Sequence, residues 1–159
     1  MSVRGGYESL MSTNITRIDK EQYYFGGILL LANKLQVWGD GILPDLTFKQ
    51  LFLLLFIKEM ESNNPTVKEV SDFTGTSRQN VKKMLERLEM TGYVSLTRSK
   101  IDARAWGVAL TEKSFEYFAE HDQKSAEIVS EMFSNISDEE LDSAMQTMGK
   151  LFYFLDTAK

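Results

Sequence analysis

The sequence contains no cysteine, a single histidine (His121) and only two prolines (Pro44 and Pro65) in 159 residues. Without cysteine there is no disulfide framework, no thiolate nucleophile or thiol redox sensor, and no Cys-ligated zinc. One histidine cannot furnish a His-rich metal centre, and no nucleophile–base pair assembles around it, so neither a metal, a cofactor nor an enzymatic activity is expected. His121 stands between Glu120 and Asp122, as a partly exposed helix residue would. Long apolar runs are also missing. The longest, Leu51 to Ile57, is seven residues, far short of the roughly 20 that a membrane-spanning helix needs. The opening residues Met1 to Gly6 lack the apolar core of a secretory signal. A cytoplasmic protein with no membrane partner is expected.

What is present is ordinary for a globular chain, with 43% hydrophobic and 26% charged residues. Scarce prolines and well-marked helix starts predict a mainly helical architecture. Thr47 with Gln50, Thr66 with Glu69 and Ser137 with Glu140 have the spacing of capping boxes, in which a hydroxyl and a side chain three residues on satisfy each other's backbone N–H groups. Gly39, Gly75 and Gly92 each follow a periodic apolar segment, where a left-handed residue ends a helix. These marks predict helices near 20–38, 47–62, 66–74, 77–90, 112–133 and 138–156. One segment departs from the pattern: Tyr93 to Arg98 is β-rich, and Trp106, Val108 and Leu110 alternate with small residues. Two short strands joined by the charged stretch Ser99 to Arg104 predict a hairpin with an exposed loop. Gly107 inside the second strand either weakens it or marks a close approach of backbone.

The net charge of −5, from 18 basic and 23 acidic residues, first argues against a polyanionic partner. Its distribution argues the reverse. Ser77 to Arg104 holds seven basic and three acidic residues, a net of +4, which leaves −9 for the rest of the chain. Glu112 to Asp142 has ten acids and two lysines, so one side of the molecule suits phosphate and another repels it. In the helix from Ser77, Val81, Met84, Leu85 and Leu88 take inward positions, and Arg78, Gln79, Asn80, Lys82 and Lys83 are turned outward. Arg binds guanine edges, Asn and Gln bind adenine edges, and Lys and a capped helix start suit phosphate. A plain solvated face has the same charges but does not call for the amides. The short helix before it, joined through Gly75-Thr76, gives helix-turn-helix spacing. Arg98, Lys100 and Arg104 of the hairpin would reach the DNA backbone or minor groove beside it.

The end helices carry heptad-like stripes, Tyr24, Ile28, Leu31, Leu35 and Trp38 in one and Leu141, Met145, Met148, Phe152 and Leu155 in the other. Each could pack on the chain's own core, but two matching stripes at opposite ends point to a helical dimerisation platform.

Taken in order, Leu46-Thr47 with Gln50, Thr66-Val67-Lys68-Glu69-Val70, Thr76 to Lys83, Leu88 with Gly92-Tyr93-Val94, Asp102-Ala103-Arg104 and Leu110-Thr111-Glu112-Lys113 closely resemble the MarR family of winged-helix transcription regulators, over about residues 20 to 156. The resemblance implies a winged helix-turn-helix lobe with a small β-hairpin wing, and an obligate homodimer whose terminal helices interlock. Residues 1–45 would be an N-terminal arm and dimerisation helix, 46–111 the DNA-binding domain, and 112–159 the C-terminal dimerisation helices. By the same resemblance Ser77 to Lys83 read successive major grooves of a pseudo-palindromic operator, Arg104 reaches DNA from the wing, and Asp102 orients the wing arginines. Ser114 stands where many members have glycine. Cysteine-based peroxide sensing is impossible here, and zinc sensing has only His121 to draw on.

The expected function is a sequence-specific, dimeric DNA-binding transcription regulator, a repressor in most of the family, released by a small aromatic or amphipathic effector. Tyr23, Trp38, Phe52 and Phe56 would line the effector pocket, although the same aromatics suit simple core packing. The competing reading is a winged-helix protein-interaction module without sequence-specific DNA binding.

Overall fold

A computed structural model describes residues 15–60, 64–98 and 105–158. Among the described residues, six helices and one hairpin follow in the order α1 (Arg17–Ile42), α2 (Phe48–Glu59), α3 (Val67–Thr74), α4 (Arg78–Met90), β1 (Val94–Arg98), β2 (Trp106–Leu110), α5 (Glu112–Phe133) and α6 (Asp138–Thr157). They group into two compact units, Met1–Leu110 and Thr111–Lys159.

The helix starts follow local chemistry. All three expected capping boxes form, at Thr47, Thr66 and Ser137. A fourth forms at Thr16, whose hydroxyl accepts the Asp19 N–H while the Asp19 carboxylate accepts the Thr16 N–H at 2.9 Å. Aspartate replaces the usual Glu or Gln in this box, so α1 begins three residues before the expected position 20. It also runs past the expected end at 38. Gly39 is not a left-handed terminator: it lies inside α1 and is buried, and positive φ occurs only at Gly75 and Gly92 among the described residues. Its role is close approach. A Cβ at Gly39 would collide with the ring of Phe48, the first residue of α2, and the Asp40 carboxylate accepts the Phe48 N–H at 2.6 Å. The Gly39-Asp40 pair is therefore where the start of α2 seats on α1.

In the first unit, Leu53, Leu54 and Ile57 of α2, Val70 of α3, Val81, Leu85 and Leu88 of α4, Val94 of β1 and Val108 of β2 are buried. Each such side chain stabilises the fold by roughly 1.5–3 kcal/mol relative to exposure. β1 and β2 pair antiparallel from Val94↔Leu110 to Arg98↔Trp106. Thr66 meets Gly107 in an isolated antiparallel bridge beside β2. Gly107 thus marks a close approach: a Cβ there would sit 2.7 Å from the Asn64 amide.

The second unit consists of α5 and α6. α5 buries Ser114, Tyr117 and Phe118, and α6 has no buried residue. His121 is partly exposed and stacks on Tyr117 with ring centroids 4.2 Å apart. Its Nδ1 lies 2.9 Å from the Tyr117 carbonyl, an arrangement that belongs to the helix itself.

Candidate nucleic-acid interface

The turn between α3 and α4 is fixed by its own side chains. Gly75 adopts φ 63°, a left-handed conformation that costs other residues roughly 1–2 kcal/mol. The buried Ser71 hydroxyl donates to the Thr76 carbonyl at 2.8 Å, and the Thr74 hydroxyl donates to the Val70 carbonyl at 2.8 Å. α4 then starts at Ser77, whose Oγ accepts the Asn80 N–H at 3.3 Å. The remaining N–H groups of the first turn point outward at the positive end of the helix dipole.

Along α4, Val81, Leu85 and Leu88 are buried, while Ser77, Arg78, Gln79, Asn80, Lys82, Lys83, Glu86 and Arg87 are all exposed. From Ser77 to Lys83, two amides and three cations therefore share the outward face of the first two turns. Lys82 approaches Glu86 at 3.6 Å. An exposed pair of this kind is worth well under about 1 kcal/mol and yields readily to a phosphate.

At its far end α4 closes in a Schellman motif. Gly92, at φ 81°, donates to Glu89 O at 2.9 Å, and Tyr93 N donates to Leu88 O at 2.8 Å. The chain passes from there directly into β1. Arg98, at the end of β1, lies 4.3 Å over the ring of Trp106, a cation–π contact that settles the guanidinium at the hairpin stem. Lys100, Asp102 and Arg104 lie outside the described residues.

Phe52 and Phe56 line an open groove of about 400 Å³ between α2 and α4, with Lys49, Asn80, Lys83, Met84 and Arg87 around it. Phe48, Phe52, Phe56 and Phe73 form a chain of ring contacts with successive centroids 4.7, 5.9 and 5.8 Å apart. The expected pocket does not assemble as one set: Tyr23 and Trp38 are on α1, exposed, and do not line this groove. Tyr23 instead meets Tyr24 edge-on at 6.4 Å. Lys49 and Arg87, which no sequence pattern singles out for this site, flank the groove, because the fold sets α2 and α4 along its two sides.

Of the expected dimerisation residues, Tyr24, Ile28, Leu31, Met145, Met148, Phe152 and Leu155 are exposed, and Leu35 and Leu141 are half-buried. The apolar exposure is wider than a stripe. On α1 it includes Phe25 and Val37, at 76% and 75%, and on α6 Tyr153 and Phe154, at 73% and 64%.

Comparison with known proteins adds to this geometry. The profile described as MarR family matches residues 45–105. The transcriptional repressor MprA of Escherichia coli K12 is 30% identical over 107 residues, which cover 67% of this chain and 61% of the relative. The match thus spans about three-fifths of that relative's length. Among solved structures, the Staphylococcus aureus MepR–DNA complex aligns with a TM-score of 0.73 at 17% identity, covering 83% of this chain and 97% of that one. Bordetella bronchiseptica BpsR, described with regulation of its DNA binding by 6-hydroxynicotinic acid, aligns with a TM-score of 0.67 at 20% identity, covering 80% and 98%.

Proposed function

Because the chain belongs to the MarR family, we propose that it is a sequence-specific DNA-binding transcription regulator that works as a homodimer, and that it is not an enzyme. The observation that carries this reading is the capped start of α4, where Arg78, Gln79 and Asn80 stand exposed beside Lys82 and Lys83. Amides and a guanidinium read base edges in the major groove, and the ammonium groups and helix-start N–H groups hold phosphate. Arg98, Lys100 and Arg104 add wing contacts, with Asp102 orienting the arginines. Two copies place two reading helices on half-sites about 10 base pairs apart, hence a pseudo-palindromic operator. Repression follows where such a site overlaps a promoter, in keeping with the relative named a repressor.

Dimerisation explains why α1 buries only Gly39 and α6 buries nothing. Apolar exposure of this extent along a helix marks a protein interface. The faces around Tyr24, Ile28, Leu31 and Leu35 on α1, and around Leu141, Met145, Met148, Phe152 and Leu155 on α6, are assigned to the second copy.

A small aromatic anion is the effector class that suits the groove of Phe52 and Phe56, with Lys49, Lys83 and Arg87 to meet its charge. Because Asn80 and Lys83 belong also to the reading face, a ligand there competes with DNA and so favours the free state, as any switch must.

The test is a titration of the protein against DNA from upstream of its own gene and against scrambled DNA at several salt concentrations. A marked preference for one site, together with a steep salt slope, is expected. Equal, weak binding to both, alongside tight binding to an acidic protein, would replace this reading with that of a protein-interaction module.

A further inference from the structure

The hairpin stem is held on both edges at one rung of its ladder. Leu96 and Val108 face each other across β1 and β2, and the N–H of each finds its acceptor outside the hairpin. Val108 N donates to the Pro65 carbonyl at 2.9 Å. Leu96 N donates to the Glu89 carboxylate at 2.8 Å. Glu89 sits in the last turn of α4, seven residues beyond Lys82 and thus on the same side of the helix, two turns on. Its carboxylate therefore ties the reading helix to the outer edge of β1.

We propose that Glu89 is a positioning residue for DNA binding: through the Leu96 N–H it sets the pitch of the wing against the reading helix. The inference rests on the DNA-binding role proposed above. Glu89 has no reason to touch DNA itself, since a carboxylate facing a polyanion opposes binding. Its presence on the helix that meets DNA is accounted for by what it holds. The Schellman turn at Gly92 and the buried Val94 fix where the strand begins, but they leave the direction of its outer half unset. The Glu89 bond, at Leu96 on the third rung of the ladder, sets that direction. Pro65 supplies the matching constraint on β2. With both edges fixed, cations carried by the hairpin approach phosphate from one direction, and no ordering of the stem remains to be done when DNA arrives.

Charge and positioning predict opposite signs, which makes the proposal testable. The probe is the DNA site that the unaltered protein selects from a randomised pool, measured at several salt concentrations with Glu89→Ala, Glu89→Gln and Glu89→Asp. If Glu89 acted only as a charge, Ala and Gln would both tighten binding and Asp would leave it unchanged. If it positions the wing, Glu89→Ala weakens binding by about fivefold to tenfold, the size of one ordinary exposed hydrogen bond. Its salt slope falls by about one, because one phosphate is no longer neutralised by a wing cation. Glu89→Gln, whose amide oxygen still accepts the Leu96 N–H, binds at least as tightly as the unaltered protein. Glu89→Asp, one methylene too short to reach, behaves like Ala, and it carries the test if the Ala variant fails to fold. Preference among bases stays the same in all three. Binding by the Ala and Asp variants as tight as the unaltered protein's would overturn the proposal, as would equal weakening by Gln and Ala. Absence of any selected site with the unaltered protein would instead overturn the DNA-binding reading on which it stands.

Discussion

Gln79 and Asn80 are neighbours on α4 with different surroundings: Asn80 lines the groove against α2, and Gln79 does not. Both are exposed amides at the helix start. Replacing Gln79 with Ala is expected to relax preference at one base pair by about 1–3 kcal/mol while leaving the salt slope unchanged, because every phosphate keeps its cation. Asn80→Ala should do the same at another base pair and also change the response to any aromatic anion bound in the groove. Competition binding against single-base operator variants measures both effects. The outward set from Ser77 to Lys83 is legible in the sequence because it depends only on helical periodicity around Val81, Leu85 and Leu88. Glu89 is not, since its partner is set by the register of a strand seven residues away. Gly39 has the local pattern of a helix terminator for a related reason: its neighbour Phe48, nine residues on, decides that the helix continues and that no Cβ is tolerated.

At the scale of elements, the helix starts are the most legible features, because capping chemistry is local to four residues. The start of α1 shows the limit of that rule, where aspartate takes the place of glutamate. These caps also make stability depend on pH. The Glu69 carboxyl is held below its ordinary value of 4.5, chiefly by the Thr66 backbone N–H and then by the Thr66 hydroxyl. Glu140 is lowered in the same way by Ser137, and Asp19 chiefly by the Thr16 hydroxyl. A depressed carboxylate contributes stability above its unfolded pKa and loses it as pH falls through the folded one. Thermal melts followed by circular dichroism should therefore show a loss of stability on acidification from roughly pH 5 to pH 3. Glu69→Gln should be less stable than the unaltered chain at pH 7 and should converge with it at the acid end. A difference that stayed constant with pH would mean that the cap carboxylate is not the source. The groove shows how far sequence patterns reach: Phe52 and Phe56 are visible as aromatics, but Lys49 and Arg87 join them only because the fold sets α2 and α4 along one groove.

For the whole molecule the decisive quantities are charge and apolar exposure. The net charge of −5 describes no part of the chain, since +4 is gathered between Ser77 and Arg104. On the proposed DNA-binding reading, the acidic remainder is the part that a phosphate backbone repels. The terminal stripes are legible as a pattern, but their breadth is not, because periodicity selects one line of residues and Phe25, Val37, Tyr153 and Phe154 are exposed off that line. Light scattering after size exclusion at micromolar concentration is expected to give twice the mass of the chain. Phe152→Asp, which puts a charge into the apolar face of α6, should lower that mass toward one chain and weaken operator binding in parallel. A monomeric mass for the unaltered protein would contradict the dimer. The chain has two tryptophans, one on α1 and the other at the wing stem under Arg98. With Trp38 changed to phenylalanine, the emission of Trp106 alone becomes an optical gauge of the wing. Its intensity and wavelength follow whether the guanidinium stays on the indole or leaves it for phosphate.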